Sequence, residues 1–215
     1  DSFEVASGGS SKKAITDTTY FADEVAYMDR IVGEIIAKVH ELNLDQNTLI
    51  LFTSDNGTGK EVVSQMGDKS ISGMKGYTSK YGIHVPFVAY WNGTIAPGQI
   101  NDNLIDFSDF LTTLAELSGK DLAQDFLTDG ISFYPQLTGE DHQPREWIFM
   151  HYPGKEGSFE MSRSVFNKQL KLYESGEIYN ILSDPYEQNK LNEALLTEAQ
   201  QSQIDFFSDV IQKMK

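Results

Sequence analysis

Cysteine is absent from this chain. Disulfides, thiolate nucleophiles and cysteine-held metals are therefore excluded, and nothing about the redox compartment follows. Positive charge is sparse: 17 Lys and Arg stand against 32 Asp and Glu, a net charge of −15. That balance argues against nucleic acid or an anionic membrane surface as partner. It suits cation binding, although most of the acids serve only to solvate the surface. Long hydrophobic runs are missing too. No stretch approaches the roughly 18 apolar residues of a membrane span, so none is expected. An initiator Met and a visible signal peptide are also lacking, and the opening DSFEVASGGSSKK reads like the middle of something. Absent targeting signals mean little in such a chain. What is present suffices for a core. The 215 residues are 40% hydrophobic and 12% aromatic, the size of one sizeable domain or of a domain with a small appendage.

Residues 1–16 are small and polar and read as a loop. From Thr16, with Asp17 as the N-cap, a helix is expected to run to about Asn43. Phe21, Val25, Met28, Val32, Ile35, Val39 and Leu42 step along it by threes and fours as one apolar stripe. Residues 57–83 are rich in Gly, Ser and Lys and read as a long loop, functional or mobile. VPFVAYW (85–91) reads as a strand, and 106–117 as an amphipathic helix closed by Gly119. Residues 119–144 look irregular. From about Arg145 the texture changes to four short strand-like runs, 147–152, 161–166, 169–174 and 177–181. Tight turns at Asn167-Lys168 and Ser175-Gly176 predict an antiparallel meander. A helix over about 196–213 follows, with Ile204, Phe207 and Ile211 on one face.

The stretch TLILFTSDNG (48–57) carries the most chemistry. Leu49–Phe52 is apolar on both faces, the pattern of a parallel strand buried between helices. Asp55 and Asn56 sit just past its carboxyl end, where open α/β sheets bind ligands. Two adjacent hard oxygen donors there suit a divalent cation, while Asp-Asn-Gly is equally good turn chemistry. Spacing alone leaves both readings open.

Five segments in this order resemble the C-terminal part of the type I sulfatases, the formylglycine-dependent arylsulfatase family of the alkaline-phosphatase-like superfamily. They are YFADEVAYMDRIVGEI (20–35), TLILFTSDNG (48–57), KGYTSKYGIHVPFVAYWNG (75–93), DFLTTLAELSG (109–119) and LKLYESGEIYNILSDPYEQNKL (170–191). The resemblance implies an α/β, alkaline-phosphatase/sulfatase-like fold, truncated at its N-terminus. Residues 1–144 would be the C-terminal part of the catalytic domain, and 145–215 a small antiparallel sheet with a terminal helix. It implies that Asp55 and Asn56 are ligands of an active-site calcium, Ca2+, and that Lys75 reaches the sulfate ester. An ammonium suits that role because it offsets charge on the transferring group. A solvated loop lysine, like Lys60, Lys69 or Lys80, is the plain alternative. His84 stands where family members carry Arg or His and lines the pocket or packs at a strand entry. Lys80 and Tyr81 depart from the acidic and small residues usual there, which puts substrate contacts in that loop in question. His151, beside the first strand of the meander, reads as a structural histidine.

The family's nucleophile, a Cys or Ser in a C/S-x-P-x-R motif converted to formylglycine, has no counterpart here, nor has its N-terminal Asp-Asp metal pair. The expectation is therefore a C-terminal fragment that packs against an absent N-terminal half and is inactive alone. The parent would be a sulfuric ester hydrolase acting on an aryl or carbohydrate sulfate. Family analogy points to a periplasmic or secreted setting, which the residues leave open. A phosphate-ester hydrolase of the same superfamily is one rival. The lack of any His between positions 41 and 83 speaks against its usual zinc site. A non-catalytic binding module using Trp91, Tyr77, Tyr81 and Tyr152 is the other. Asn-Gly-Thr sequons begin at Asn56 and Asn92; a glycan on Asn56 would destroy a metal ligand, so that match reads as accidental, and Asn92, at an exposed turn, could accept one only in a eukaryotic secretory setting.

Overall fold

The computed structural model of the chain describes residues 18–120, 122, 126–153 and 161–214. The polar opening stretch and the expected Asp17 cap lie outside them. Helix α1 (Phe21–Glu41) carries the predicted stripe but begins later than Thr16. Thr18 and Thr19, β-branched and poor in helices, form a turn in which Phe21 N donates to Thr18 O at 3.2 Å. Asp23 and Glu24 in the first turn and Lys38 and His40 in the last complement the helix dipole. Asn43, at φ 54°, takes the left-handed conformation that stops a helix. Among the described residues the stripe is largely uncovered. Val25 is 42%, Met28 43%, Ile35 53% and Leu42 54% exposed.

Strand β1 (Ile50–Thr53) is half-buried along its length. Its ladder is antiparallel, to β4 (Phe87–Tyr90), with Ile50 opposite Tyr90 and Thr53 opposite Phe87. The parallel reading is corrected in this respect. Apolar residues on both faces favour a parallel strand only as a tendency, and here the run pairs with an antiparallel neighbour. Between the two strands, residues 57–83 are not a bare loop. They hold the hairpin β2 (Val63–Met66) and β3 (Lys69–Ser72) and the short helix α2 (Lys80–Ile83). Gly67, at φ 60°, opens the two-residue turn of that hairpin, the position that primed turns reserve for a residue of positive φ.

Behind β4 stands helix α3 (Asp109–Leu117), and α4 (Tyr134–Thr138) follows in the stretch read as irregular. Phe87, Phe110 and Phe133 meet edge to face, at centroid separations of 5.7, 5.4 and 5.3 Å, and tie β4 to α3. The meander forms as expected: β5 (Ile148–Tyr152), β6 (Ser162–Phe166), β7 (Leu170–Tyr173) and β8 (Ile178–Asn180), antiparallel in sequence order. Helix α5 (Glu198–Lys213) lies across β6 and β7. Its start is fixed by a capping box, in which Thr197 and Gln200 each accept from the other's backbone N–H. Ile204, Phe207, Val210 and Ile211 of α5 pack on Val165, Leu170, Leu172 and Ile178 of the sheet. The opposite face buries Phe166, Tyr179 and Ile181, and Ile83 of α2 packs against them. That second face brings the meander up against the segment that carries Lys75 and His84.

Candidate active site

Asp55 and Asn56 leave β1 at its carboxyl end, as the pattern predicts. Asp55 is exposed and Asn56 half-buried. Asn56 Nδ2 donates to Asp55 Oδ2, so the two side chains converge on one point. Gly57 then turns the chain under α2, its N–H donating to Gly82 O at 2.9 Å. A Cβ at position 57 would lie 1.9 Å from Tyr81 O, so no other residue fits there without moving α2. Gly73 and Gly82 meet similar limits: a Cβ would come within 2.3 Å of Thr58 O at one and 2.1 Å of Tyr77 O at the other. Three close backbone approaches thus pin the loop after β1, the stretch after β3 and α2 to one another.

Lys75 belongs to this knot. Its N–H donates to Thr58 O at 2.9 Å, two residues beyond Asn56. Its side chain is exposed and, among the described residues, makes no hydrogen bond or ion pair. His84 caps α2, its N–H donating to Lys80 O at 2.8 Å. The residues singled out in the sequence therefore gather in one loop cluster. By contrast His151 is exposed on β5, opposite Arg163, in another sheet. Trp91 is occupied, its indole N–H donating to Gln46 O at 2.9 Å, and Asn92 Nδ2 donates to Asp45 Oδ2.

His84 is exposed by area, yet the protein around its ring desolvates it, and the Lys80 charge adds to this; both hold its pKa below the ordinary histidine value. The ring is neutral at pH 7. Folded protein then binds fewer protons than unfolded chain just below the unfolded value of about 6.5. This contribution to stability is full above that value and is lost as the pH falls through the window beneath it. An NMR titration should put the His84 midpoint below the ordinary value, and Lys80→Met should raise it only part of the way, because desolvation remains. A midpoint at or above the ordinary value would contradict the desolvated setting.

A second polar cluster escaped the sequence. Lys171 on β7 is 1% exposed and bonds Thr78 O and Glu187 Oε1, the latter at 3.0 Å. Tyr173 donates to Glu187 Oε2, so its 2.8 Å contact with Thr78 Oγ1 has the threonine as donor. Burial lowers the Lys171 pKa against the pull of Glu187, and burial followed by the bond to Glu187 raises that of Tyr173. The one hint in the sequence was a lysine set between Leu170 and Leu172. It faces the side of the sheet opposite to them, and both faces are buried.

As a metal centre the cluster is partial. Asp55 and Asn56 supply two hard oxygen donors suited to calcium, which takes six to eight. Among the described residues no group of three or more His, Cys, Asp and Glu side chains is placed to hold a metal ion. The donor set fits calcium in kind and falls short in number.

The sulfatase family profile matches residues 2–120. The chain is 33% identical over 132 residues to an arylsulfatase of Hemicentrotus pulcherrimus, covering 61% of this chain and 24% of that protein. It is 35% identical over 136 residues to arylsulfatase A of Homo sapiens, covering 62% and 26% respectively. In fold it is similar to the PsFucS1 sulfatase from a Pseudoalteromonas species, with a TM-score of 0.70 at 24% identity, over 89% of this chain and 42% of that one. A structure solved with its substrate D-glucosamine-2-N,6-O-disulfate is similar at a TM-score of 0.68 and 19% identity, over 86% and 38%. The chain spans about a quarter of the length of the curated relatives it matches, and these neighbours share the alkaline-phosphatase-like α/β fold. The matched profile covers more than half of the chain, and on that ground the chain belongs to the sulfatase family.

Proposed function

We propose that this chain is the C-terminal portion of a longer sulfatase and supplies two calcium ligands and a sulfate-contacting lysine to an active site completed by an N-terminal half. Within it, residues 1–144 end the catalytic domain and 145–215 form the small antiparallel sheet with its helix. The reading rests on one observation above the others: the 2.9 Å bond from Lys75 N to Thr58 O, which stitches the lysine to the loop that displays Asp55 and Asn56. A cation and a pair of oxygen donors held on one rigid knot can address the two ends of a single ester. The uncovered stripe of α1, with Val88 of β4 at 57% exposure, supports an N-terminal half packed on that side.

In this reading Asp55 and Asn56 hold calcium, which when bound supplies positive charge beside the reacting group. Lys75 stabilises negative charge as it gathers on the sulfuryl oxygens and the leaving oxygen. His84, uncharged at pH 7, offers hydrogen bonding at the pocket wall without adding a second fixed charge. The nucleophile, the formylglycine of the family, comes from the other half, so the chain alone is inactive. Substrates are aryl or carbohydrate sulfates, in keeping with the arylsulfatases it resembles.

The test is turnover by the longer enzyme of 4-nitrophenyl sulfate beside 4-nitrophenyl phosphate. The sulfate ester should be the better substrate. Lys75→Ala should lower kcat/KM by about 10²-fold, the usual loss for one transition-state contact. Preference for the phosphate, or near-normal turnover without Lys75, would reject the corresponding part of the proposal.

A further inference from the structure

The segment that carries Lys75 is gripped from behind at three points, directly by Pro185 and Tyr186 and, through Lys171 and Tyr173, by Glu187. Ahead of the lysine, the Tyr186 hydroxyl accepts from Ser72 N at 2.8 Å and donates to Ser72 O at 3.3 Å, across 114 residues of sequence. Beyond the lysine, Glu187 and Lys171 together hold Thr78: Lys171 Nζ donates to Thr78 O and to Glu187 Oε1. Further on, Pro185 O accepts from Lys80 N at 3.2 Å. Ser72 and Thr78 lie three residues to either side of Lys75, so the grip is a bracket centred on it. Tyr81, where the sequence departs from the family, leans on the same bracket, its ring 4.9 Å from that of Tyr186.

We propose that Tyr186 is a positioning residue for the sulfatase reaction: through its bond to Ser72 it fixes the Lys75 backbone, and with it the reach of the ammonium. The inference rests on the Lys75 reading given above. Several features support it. Lys75 itself is exposed, so its placement comes from the backbone. The hairpin leading into it packs little of its own, with Val63 61% and Met66 62% exposed. At the hairpin base Ser72 Oγ donates to Lys60 O at 2.7 Å and Gly73 N to Val62 O at 3.0 Å, and the Tyr186 hydroxyl is the bond that ties this base to the meander side. Glu187, at the far jaw, adopts φ 57°, unusual for a side chain of its size, and so turns its carboxylate inward. The carboxylate is met there by a lysine 1% exposed and by the Tyr173 hydroxyl.

Tyr186→Phe removes the hydroxyl and keeps the ring against Tyr81, so it separates positioning from packing. In the longer enzyme it should lower kcat on 4-nitrophenyl sulfate about 10-fold, with KM little changed, because displacing a transition-state contact by a fraction of an ångström costs rate before affinity. Hydrogen exchange at Ser72 N–H should speed up while that of α5 stays as before. The deciding measurement is the cycle with Lys75→Ala. If Tyr186 acts through Lys75, Tyr186→Phe costs less than about twofold once the lysine is gone. If Lys75→Ala is costly and Tyr186→Phe costs the same factor in both backgrounds, the lysine assignment stands and the positioning role is overturned. If Lys75→Ala costs nothing, the lysine reading itself falls and the bracket belongs to the fold alone.

Discussion

Asp55→Ala in the longer enzyme should lower turnover of an aryl sulfate by on the order of 10³-fold and strip calcium in parallel. The size follows from what the site lacks. Asp55 is the charged member of the pair, and among the described residues it belongs to no group of three or more acids and histidines that could hold the ion without it. Asn56 would remain as a neutral ligand, and its Nδ2 would lose the carboxylate oxygen it now bonds. The loop cannot shift to recruit another donor, because Gly57 is locked beneath α2 with no space even for a Cβ. Asp55 is exposed and outside both hydrophobic clusters, so the melting transition of the calcium-free protein should hardly move. Asn56→Ala should cost less, since it removes a dipole rather than a charge. Calcium content by elemental analysis and turnover should fall together. Unchanged metal content with turnover within about threefold of wild type would exclude Asp55 as a ligand.

How much of this was legible depends on how local the cause of each feature is. The meander was readable because its determinants are adjacent in sequence: short strand-like runs, among them those that form Ser162–Phe166 and Leu170–Tyr173, set apart by tight turns at Asn167-Lys168 and Ser175-Gly176. Asp55 and Asn56 were placed correctly at a strand end for the same reason. The direction of the β1 ladder was not readable, since Phe52 looks the same beside a parallel or an antiparallel neighbour. The hairpin at 63–72 was missed because its residues have almost no core of their own. Its base is held by Tyr186, which hydropathy does not reveal as a partner for Ser72. The buried charges Lys171, Asp109 and Arg145 were equally invisible. A charged residue in sequence looks solvated until its partner, 16 or 36 positions away, is seen to meet it.

Asp109→Ala should destabilise the protein by about 3–5 kcal/mol, the range for breaking a buried ion pair by deleting one partner. Asp109 is 1% and Arg145 7% exposed. The carboxylate is saturated: Oδ1 accepts from Ile131 N at 2.7 Å and Oδ2 from Asp106 N at 2.8 Å and Arg145 Nε at 3.0 Å, while a second guanidinium nitrogen also reaches Oδ1. One residue thus closes the start of α3, the loop before α4 and the entry to the meander, where Leu104 and Arg145 form an isolated bridge. Burial disfavours the Arg145 charge. The bond and charge of Asp109, with Asp106 and Asp129 nearby, outweigh that and raise its pKa. Without Asp109 the guanidinium would keep Asp129 O, 2.8 Å away, and two long bonds, to Trp147 O and Ser108 Oγ at 3.4 Å each, in place of a paired carboxylate. The melting temperature should fall by roughly 10 °C. The double variant Asp109→Ala, Arg145→Met should be less damaged than the sum of the two single changes, because it removes the stranded charge as well as its partner. A single-variant loss below about 1 kcal/mol, or strict additivity in the double, would mean that the pair is solvated and that the joint between α3 and the meander is held by the phenylalanine cluster instead.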